Sequence, residues 1–148
     1  MQPKVVEEHL LNGKSHRLNG PAVIYSDGTE MYFINGTLHR EDGPAVIYGD
    51  GTETYFINGK VHREDGPAAL YPDGTKKYFI NGNLHREDGP AITYAGIIQD
   101  IEFHTYWYIN GTEITSDVVN WLSVTGYKWP FNEQQLIEFK LRFCFNNY

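Results

Sequence analysis

"NGKVHREDGPAALYPDGTKKYFI", Asn58 to Ile80, is the stretch from which the architecture follows, because its landmarks return every 23 residues. Glycines at 13, 36, 59 and 82, histidines at 16, 39, 62 and 85, and tyrosines at 25, 48, 71 and 94 all keep that interval. A fixed period of this length is the mark of a repeat architecture, in which each unit leans on its neighbours. Within the unit, Asn-Gly pairs (Asn35-Gly36, Asn58-Gly59, Asn81-Gly82) suit the positive φ values of a tight hairpin turn, and Asp-Gly pairs (Asp27-Gly28, Asp50-Gly51, Asp73-Gly74) supply a second turn. The segments between them, such as "PAVIY" and "TETYFI", hold β-branched and aromatic residues, and Pro44 stands where a strand would begin. Each unit therefore reads as one long hairpin plus a short return segment, "KVHR" in the third copy. Tyr55, Phe56 and Ile57 are consecutive, so alternation is imperfect and apolar groups point to both faces. Such a sheet needs covering.

The two ends of the repeat depart from the pattern. The first copy carries "SHRLNGPA", with Leu18 and Asn19 where later copies have Glu and Asp. The "ING" at Ile109 to Gly111 lies 29 residues after the one at Ile80, so about six residues are inserted around "AGIIQDIEFH". The grammar then changes. Ser116 or Asp117 would cap a helix carrying Val118, Val119, Trp121 and Leu122, with Gly126 as its stop. Asn132 with Gln135 has the spacing of a capping box ahead of Leu136, Ile137, Lys140, Leu141 and Cys144. The rival reading of that last stretch is a strand, with Phe139, Leu141, Phe143 and Phe145 alternating. The expected fold is mainly β: an elongated antiparallel meander of four to five hairpin repeats over residues 1–115, ended by an α-helical cap over 116–148, in one structural domain. A terminal repeat exposes an apolar edge, which the helices would cover.

Composition narrows the function. With 19 acidic against 12 basic residues the formal charge is -7, which opposes generic binding to a phosphate backbone. The charged residues of the tail cancel, so the acidity belongs to the repeat region. Cys144 is the single cysteine, which excludes an internal disulfide and a multi-cysteine zinc site and favours a small buried hydrophobe in a reducing compartment. The start lacks the apolar core of a signal peptide and no stretch has the length of a membrane span, so the expectation is a cytoplasmic protein without membrane contact.

"HREDGPA" at His39 to Ala45, His62 to Ala68 and His85 to Ala91 has the residue types of an active site, yet it occurs three times. Catalysis needs one pocket with groups in divergent environments, whereas these recur as equivalent copies, so no residue is assigned a catalytic role. The expectation is a turn at Asp42, Asp65 and Asp88 with a positive φ at the following glycine, and an Arg–Glu charge ladder across neighbouring units. The ligand reading assigns His39, Arg40, His62, Arg63, His85 and Arg86 to binding. Stacked histidines would hold a metal or an anion only if units pack in register, and the spacing matches no compact metal motif, so neither metal nor cofactor is assigned. Tyr32, Tyr55 and Tyr78 run beside Phe33, Phe56 and Phe79. One of these columns must be core, and the tyrosines would suit a binding surface. Trp121 and Trp129 are the corresponding candidates in the tail. No "GxxxxGK[ST]", "GxGxxG" or "GxSxG" appears.

The pattern "YFING..H" with the second "DGT" turn is similar to MORN repeats, short β-hairpin units, and most of all to the MORN-variant proteins of the antitoxin-like YwqK group. The resemblance covers roughly Asn12 to Thr115. It departs from ordinary units where Arg17, Arg40, Arg63 and Arg86 follow the histidine in place of glycine. In that respect it looks like the "NGxxHRxDGPA" repeat proteins of large bacteriophages and giant viruses. The resemblance implies a curved sheet that binds something and implies no reaction. The expected function is a non-enzymatic binding protein, an inhibitor, antitoxin-like or counter-defence protein of a phage or virus, acting in the host cytoplasm on a protein partner. The alternatives are a scaffold that forms homo-oligomers through a sheet edge near Met1, and sequestration of a small anionic, nucleotide-like ligand.

Overall fold

The computed structural model describes residues 2–95 and 105–145. Most of the inserted segment "AGIIQDIEFH" lies outside the described residues. Nine strands form one antiparallel sheet in strict chain order: Val5–Glu8, Val23–Tyr25, Glu30–Met31, Val46–Ile47, Glu53–Thr54, Ala69–Leu70, Lys76–Lys77, Ile92–Thr93 and Thr105–Tyr106. Counted from its proline, as at 44–66, each complete unit gives this sheet two strands around its Asp-Gly turn. The turn is locked by the aspartate: Asp27, Asp50 and Asp73 accept the backbone N–H two residues on at 2.8–2.9 Å.

The Asn-Gly half of the unit does not continue that sheet. It forms separate two-stranded hairpins: Leu10–Leu11 with Lys14–Ser15, Phe33–Ile34 with Thr37–Leu38, Phe56–Ile57 with Lys60–Val61, Phe79–Ile80 with Asn83–Leu84, and Tyr108–Ile109 with Thr112–Glu113. All five asparagines (12, 35, 58, 81, 110) and their glycines have positive φ, as a two-residue turn of this kind requires. "TETYFI" is thus two short strands broken at Tyr55, and the unit is two hairpins instead of one long hairpin with a return. The break is a change of partner. Tyr55 donates its N–H to Ala68 of the next unit, then accepts His62 N–H from its own return strand. Consecutive apolar residues at 55–57 reach both sides because the chain turns from one ladder into another between them. Among the bonds that join units, one repeats without change along the series: Gly36, Gly59, Gly82 and Gly111 donate to the carbonyls of Ser15, Leu38, Val61 and Leu84, each at 2.8 Å.

Neither aromatic column supplies the fully buried interior of the repeat. Ala22, Ala45, Ala68 and Ala91 do, flanked by buried Val23, Val46, Ala69 and Ile92, so the interior leaves room for little more than a methyl group at each level. Large buried side chains gather instead at the C-terminal end, where Trp107, Ile109, Ile114, Val118, Trp121, Phe139 and Phe143 form one cluster. This cluster straddles residue 115, because the fifth unit is built to receive the cap. At the positions of Tyr78, His85 and Arg86 it carries Trp107, Ile114 and Thr115, which makes the end of the repeat apolar.

The first helix, α1, runs Thr115–Thr125 and starts at Ile114, without a side-chain cap. Ser116 and Asp117 already lie inside it, and Thr115 Oγ1 instead accepts Trp107 N–H at 3.0 Å. Gly126 closes α1 in the left-handed conformation. The second, α2, spans Glu133–Phe139 with both bonds of the Asn132–Gln135 capping box in place. It passes into a π-helical turn, Lys140–Cys144. Phe139 and Phe143 are its inward residues, while Ile137 and Leu141 are exposed. Among the described residues no helix is long and apolar enough to cross a membrane.

Candidate binding face

The partner switch at the tyrosine decides where the His-Arg pair lies. His39 N–H bonds back to Tyr32 O, and the next residue, Arg40, donates its N–H to Phe56 O of the following unit. The arginine side chain then folds back over the ring of its own tyrosine. Guanidinium-to-ring distances are 4.0 Å for Arg40 on Tyr32, 4.1 Å for Arg63 on Tyr55 and 4.0 Å for Arg86 on Tyr78. Such a contact contributes about 0.5–1 kcal/mol at exposed sites, and more when desolvated. The structure thereby brings the arginine and tyrosine candidates together, as a stacked pair within each unit.

The charge ladder is local. Arg40, Arg63 and Arg86 give Nε–H to Asp42, Asp65 and Asp88 at 2.8, 2.7 and 2.6 Å, and Nη1–H to the carbonyls of Pro44, Pro67 and Pro90. The partner is aspartate two residues away in the same string, and the glutamates instead approach the histidines. Gly43, Gly66 and Gly89 are not among the residues with positive φ. Their requirement is space: a Cβ would stand 3.0–3.3 Å from the arginine guanidinium. The first copy shows the rule by exception. With Asn19 in place of aspartate, Arg17 keeps the Nη1–H bond to the proline carbonyl, Pro21 O, and finds its carboxylate in Glu7 on the edge strand, at 3.2 Å.

Each histidine is a bracket between units. Nδ1 of His39, His62 and His85 accepts the backbone N–H of Asn58, Asn81 and Asn110 at 3.0–3.1 Å. Nδ1 is therefore unprotonated and the ring hydrogen sits on Nε2, which faces Glu41, Glu64 or Glu87 at 3.6–3.7 Å. Two strands per unit at about 4.8 Å set equivalent rings roughly 10 Å apart, too far for two to share a metal ion. Among the described residues no group of three potential ligands is placed for a metal.

Between neighbouring strings lie grooves of about 580, 490 and 590 Å³, floored by the tyrosine, an isoleucine and the histidine; the second and third are walled by the Arg-Glu-Asp of both strings, the first by Arg17, Leu18 and Asn19 on one side and Arg40, Glu41 and Asp42 on the other. Their lips are acidic. The Glu41 and Glu64 side chains are 84% and 85% exposed, whereas the arginines are mostly covered. Nε–H and Nη1–H of each guanidinium are already taken up by aspartate and by the proline carbonyl. The hydrogen bonds from Arg40 and Arg63 hold Asp42 and Asp65 below the ordinary aspartate range, and Thr52 N–H does the same for Asp50. A depressed folded value means that the stabilisation is present above the unfolded value of about 3.9 and is lost as pH falls through the folded one. The thermal midpoint should therefore be insensitive to these groups between about pH 5 and 8 and fall below about pH 4. Replacing Asp42 and Asp65 by Asn should flatten that fall; an unaltered acid limb would show that these pairs do not couple to folding.

Trp121 lies in the cap, edge-on to Tyr127, Phe131 and Phe143, and is not offered to a partner. Trp129 is partly exposed and docks on the third string, Nε1–H to Asp88 O at 3.2 Å. Cys144 is half-buried, and burial pushes its thiol up to about 11, which keeps it protonated and unreactive near neutral pH. Lys140, counted only as a helix residue from sequence, bonds Glu87 at 3.3 Å. Its role was not visible in the spacing, since the contact spans 53 residues. Comparison with protein-family models, curated proteins and solved structures returned no match.

Proposed function

We propose that this chain is a non-enzymatic binding protein whose partner is another protein, engaged by the grooved face of the repeat together with the cap. The observation that carries the reading is the pair of equivalent grooves between the three HREDGPA strings, whose arginines bond aspartate and carbonyl and stack on tyrosine while their glutamates stand at the lip. Repeated side-by-side sites suit an extended partner surface, and outward carboxylates favour basic groups over phosphates. Histidines whose Nδ1 is committed to the next unit's backbone are brackets rather than general bases. An inhibitor-like or antitoxin-like protein, as the MORN-variant resemblance implies, is the form of this function we favour. Self-association through the edge strand Val5–Glu8 is the weaker reading: its four residues are exposed, but the strand carries a register shift between Val5 and Glu7, a device that works against edge pairing.

The test is affinity capture from the cells that make the protein, with mass spectrometry of retained proteins and small molecules, using the native chain and a Glu41→Lys/Glu64→Lys variant. Both positions are exposed, so stability should change by no more than about 0.5 kcal/mol each. Retention of the partner should fall at least roughly tenfold through like-charge contact. Equal retention by a folded variant, or capture of a small molecule with no protein, would sink the reading.

A further inference from the structure

The three HREDGPA strings have the same internal geometry, but among the described residues only the third is occupied. Trp129 lies over Gly89 so closely that a Cβ there would come within 2.8 Å of Nε1, and the indole N–H bonds Asp88 O. Beside it Lys140 Nζ reaches Glu87 at 3.3 Å, within the groove between the second and third strings. The effect of this occupant is measurable. Gly89 and Pro90 are buried, whereas Gly43, Pro44, Gly66 and Pro67 are only partly covered. Glu87 is 41% exposed, about half the value at Glu41 and Glu64. Among the described residues nothing donates to Asp42 O or Asp65 O, the counterparts of the acceptor that Trp129 uses.

The occupied and vacant strings share the arginine–aspartate bond, the arginine–tyrosine stack and the histidine bracket within a few tenths of an ångström. What seats an indole and an ammonium on the third is therefore already formed on the other two: a glycine without Cβ, an outward carbonyl and an exposed glutamate. We propose that His39–Ala45 and His62–Ala68 are docking sites for a partner polypeptide presenting an indole and a basic side chain together, seated as Trp129 and Lys140 are on His85–Ala91. The proposal rests on the protein-binding reading above and specifies the chemistry of the partner.

The experiment titrates the full-length ¹⁵N-labelled chain with a synthetic peptide of residues 126–145, the segment that already occupies the third string. Amide signals of Glu41, Gly43, Glu64 and Gly66 should shift and saturate, and Trp129→Ala or Lys140→Ala in the peptide should each weaken binding roughly tenfold. Gly43→Ala with Gly66→Ala in the labelled chain, checked for a native amide spectrum, should abolish the same shifts. Conversely, Trp129→Ala in the labelled chain should free the third string and raise the number of bound peptides from two to three. Shifts confined to the third string, shifts confined to Val5–Glu8, indifference to both peptide substitutions, or no binding up to the peptide's solubility limit would each overturn the proposal. A protein captured in a Glu41- and Glu64-dependent way, with no such peptide binding, would leave the binding role standing and remove the indole-and-lysine chemistry.

Discussion

Replacing Phe139 by alanine should destabilise the protein by about 3–5 kcal/mol, the usual cost of emptying a large aromatic site in a core. Phe139 has no exposed surface, and its ring centroid lies 5.1–5.4 Å from those of Phe143, Trp107 and Phe131 and 6.1 Å from that of Trp121. Its removal empties the centre of the cluster formed with Trp107, Trp121 and Phe143. Against a typical total of about 5–15 kcal/mol, the loss should appear as a large fall in the denaturant midpoint. The same change at Ile137 or Leu141, two exposed residues on the same helical segment, should cost no more than about 0.5 kcal/mol. Equal midpoints for Phe139→Ala and Ile137→Ala would show that the cap does not hold the fold.

The repeat should fail in the opposite sense, by crowding. Ala68 is fully buried in a column of alanines, so Ala68→Leu forces extra methyl groups into a layer sized for one. A loss of about 1–3 kcal/mol is expected, together with shifted amide signals in the units on both sides. Differential scanning calorimetry measures the first and an amide correlation spectrum the second. An unchanged melting temperature would mean that the sheet and the hairpins are not closely packed at that level.

What could be read from the chain alone was what is decided within a few residues. Asn-Gly pairs adopt the turn conformation because asparagine and glycine tolerate positive φ, Asp-Gly turns lock onto the next backbone amide, and Asn132 with Gln135 closes its own box. The break at Tyr55 was not legible, since it depends on which neighbour each backbone group bonds. For the same reason Arg63 was assigned Glu partners across units when a closer aspartate two residues on was available. Gly66 invited a φ argument, but the reason for glycine there is a guanidinium folded back over it. In the tail the helical stripe reads as Leu136, Ile137, Lys140, Leu141 and Cys144; Cys144 does pack against the cluster, Ile137 and Leu141 face out, and packing against Trp107 and Trp121 selects Phe139 and Phe143. One signal was present and unused: isoleucine and threonine at 114 and 115, where every earlier unit has histidine and arginine, announce that the polar lip ends and the apolar seat of the cap begins.

The joint between units has a further consequence. Because Gly36, Gly59, Gly82 and Gly111 make the same bond to the unit before, the joint carries no record of its position in the series. Excising residues 44–66 brings Gly43 directly before Pro67 and restores the string "HREDGPA" at the seam. The shortened chain should unfold in a single thermal transition with its cap intact; a molten product would show that the units are individually tailored. If the joint holds, valency is adjustable independently of fold. The cap fixes where the series stops, and the number of units fixes how many contacts are offered. Each added unit then increases the strength of attachment through effective concentration, without any new kind of contact.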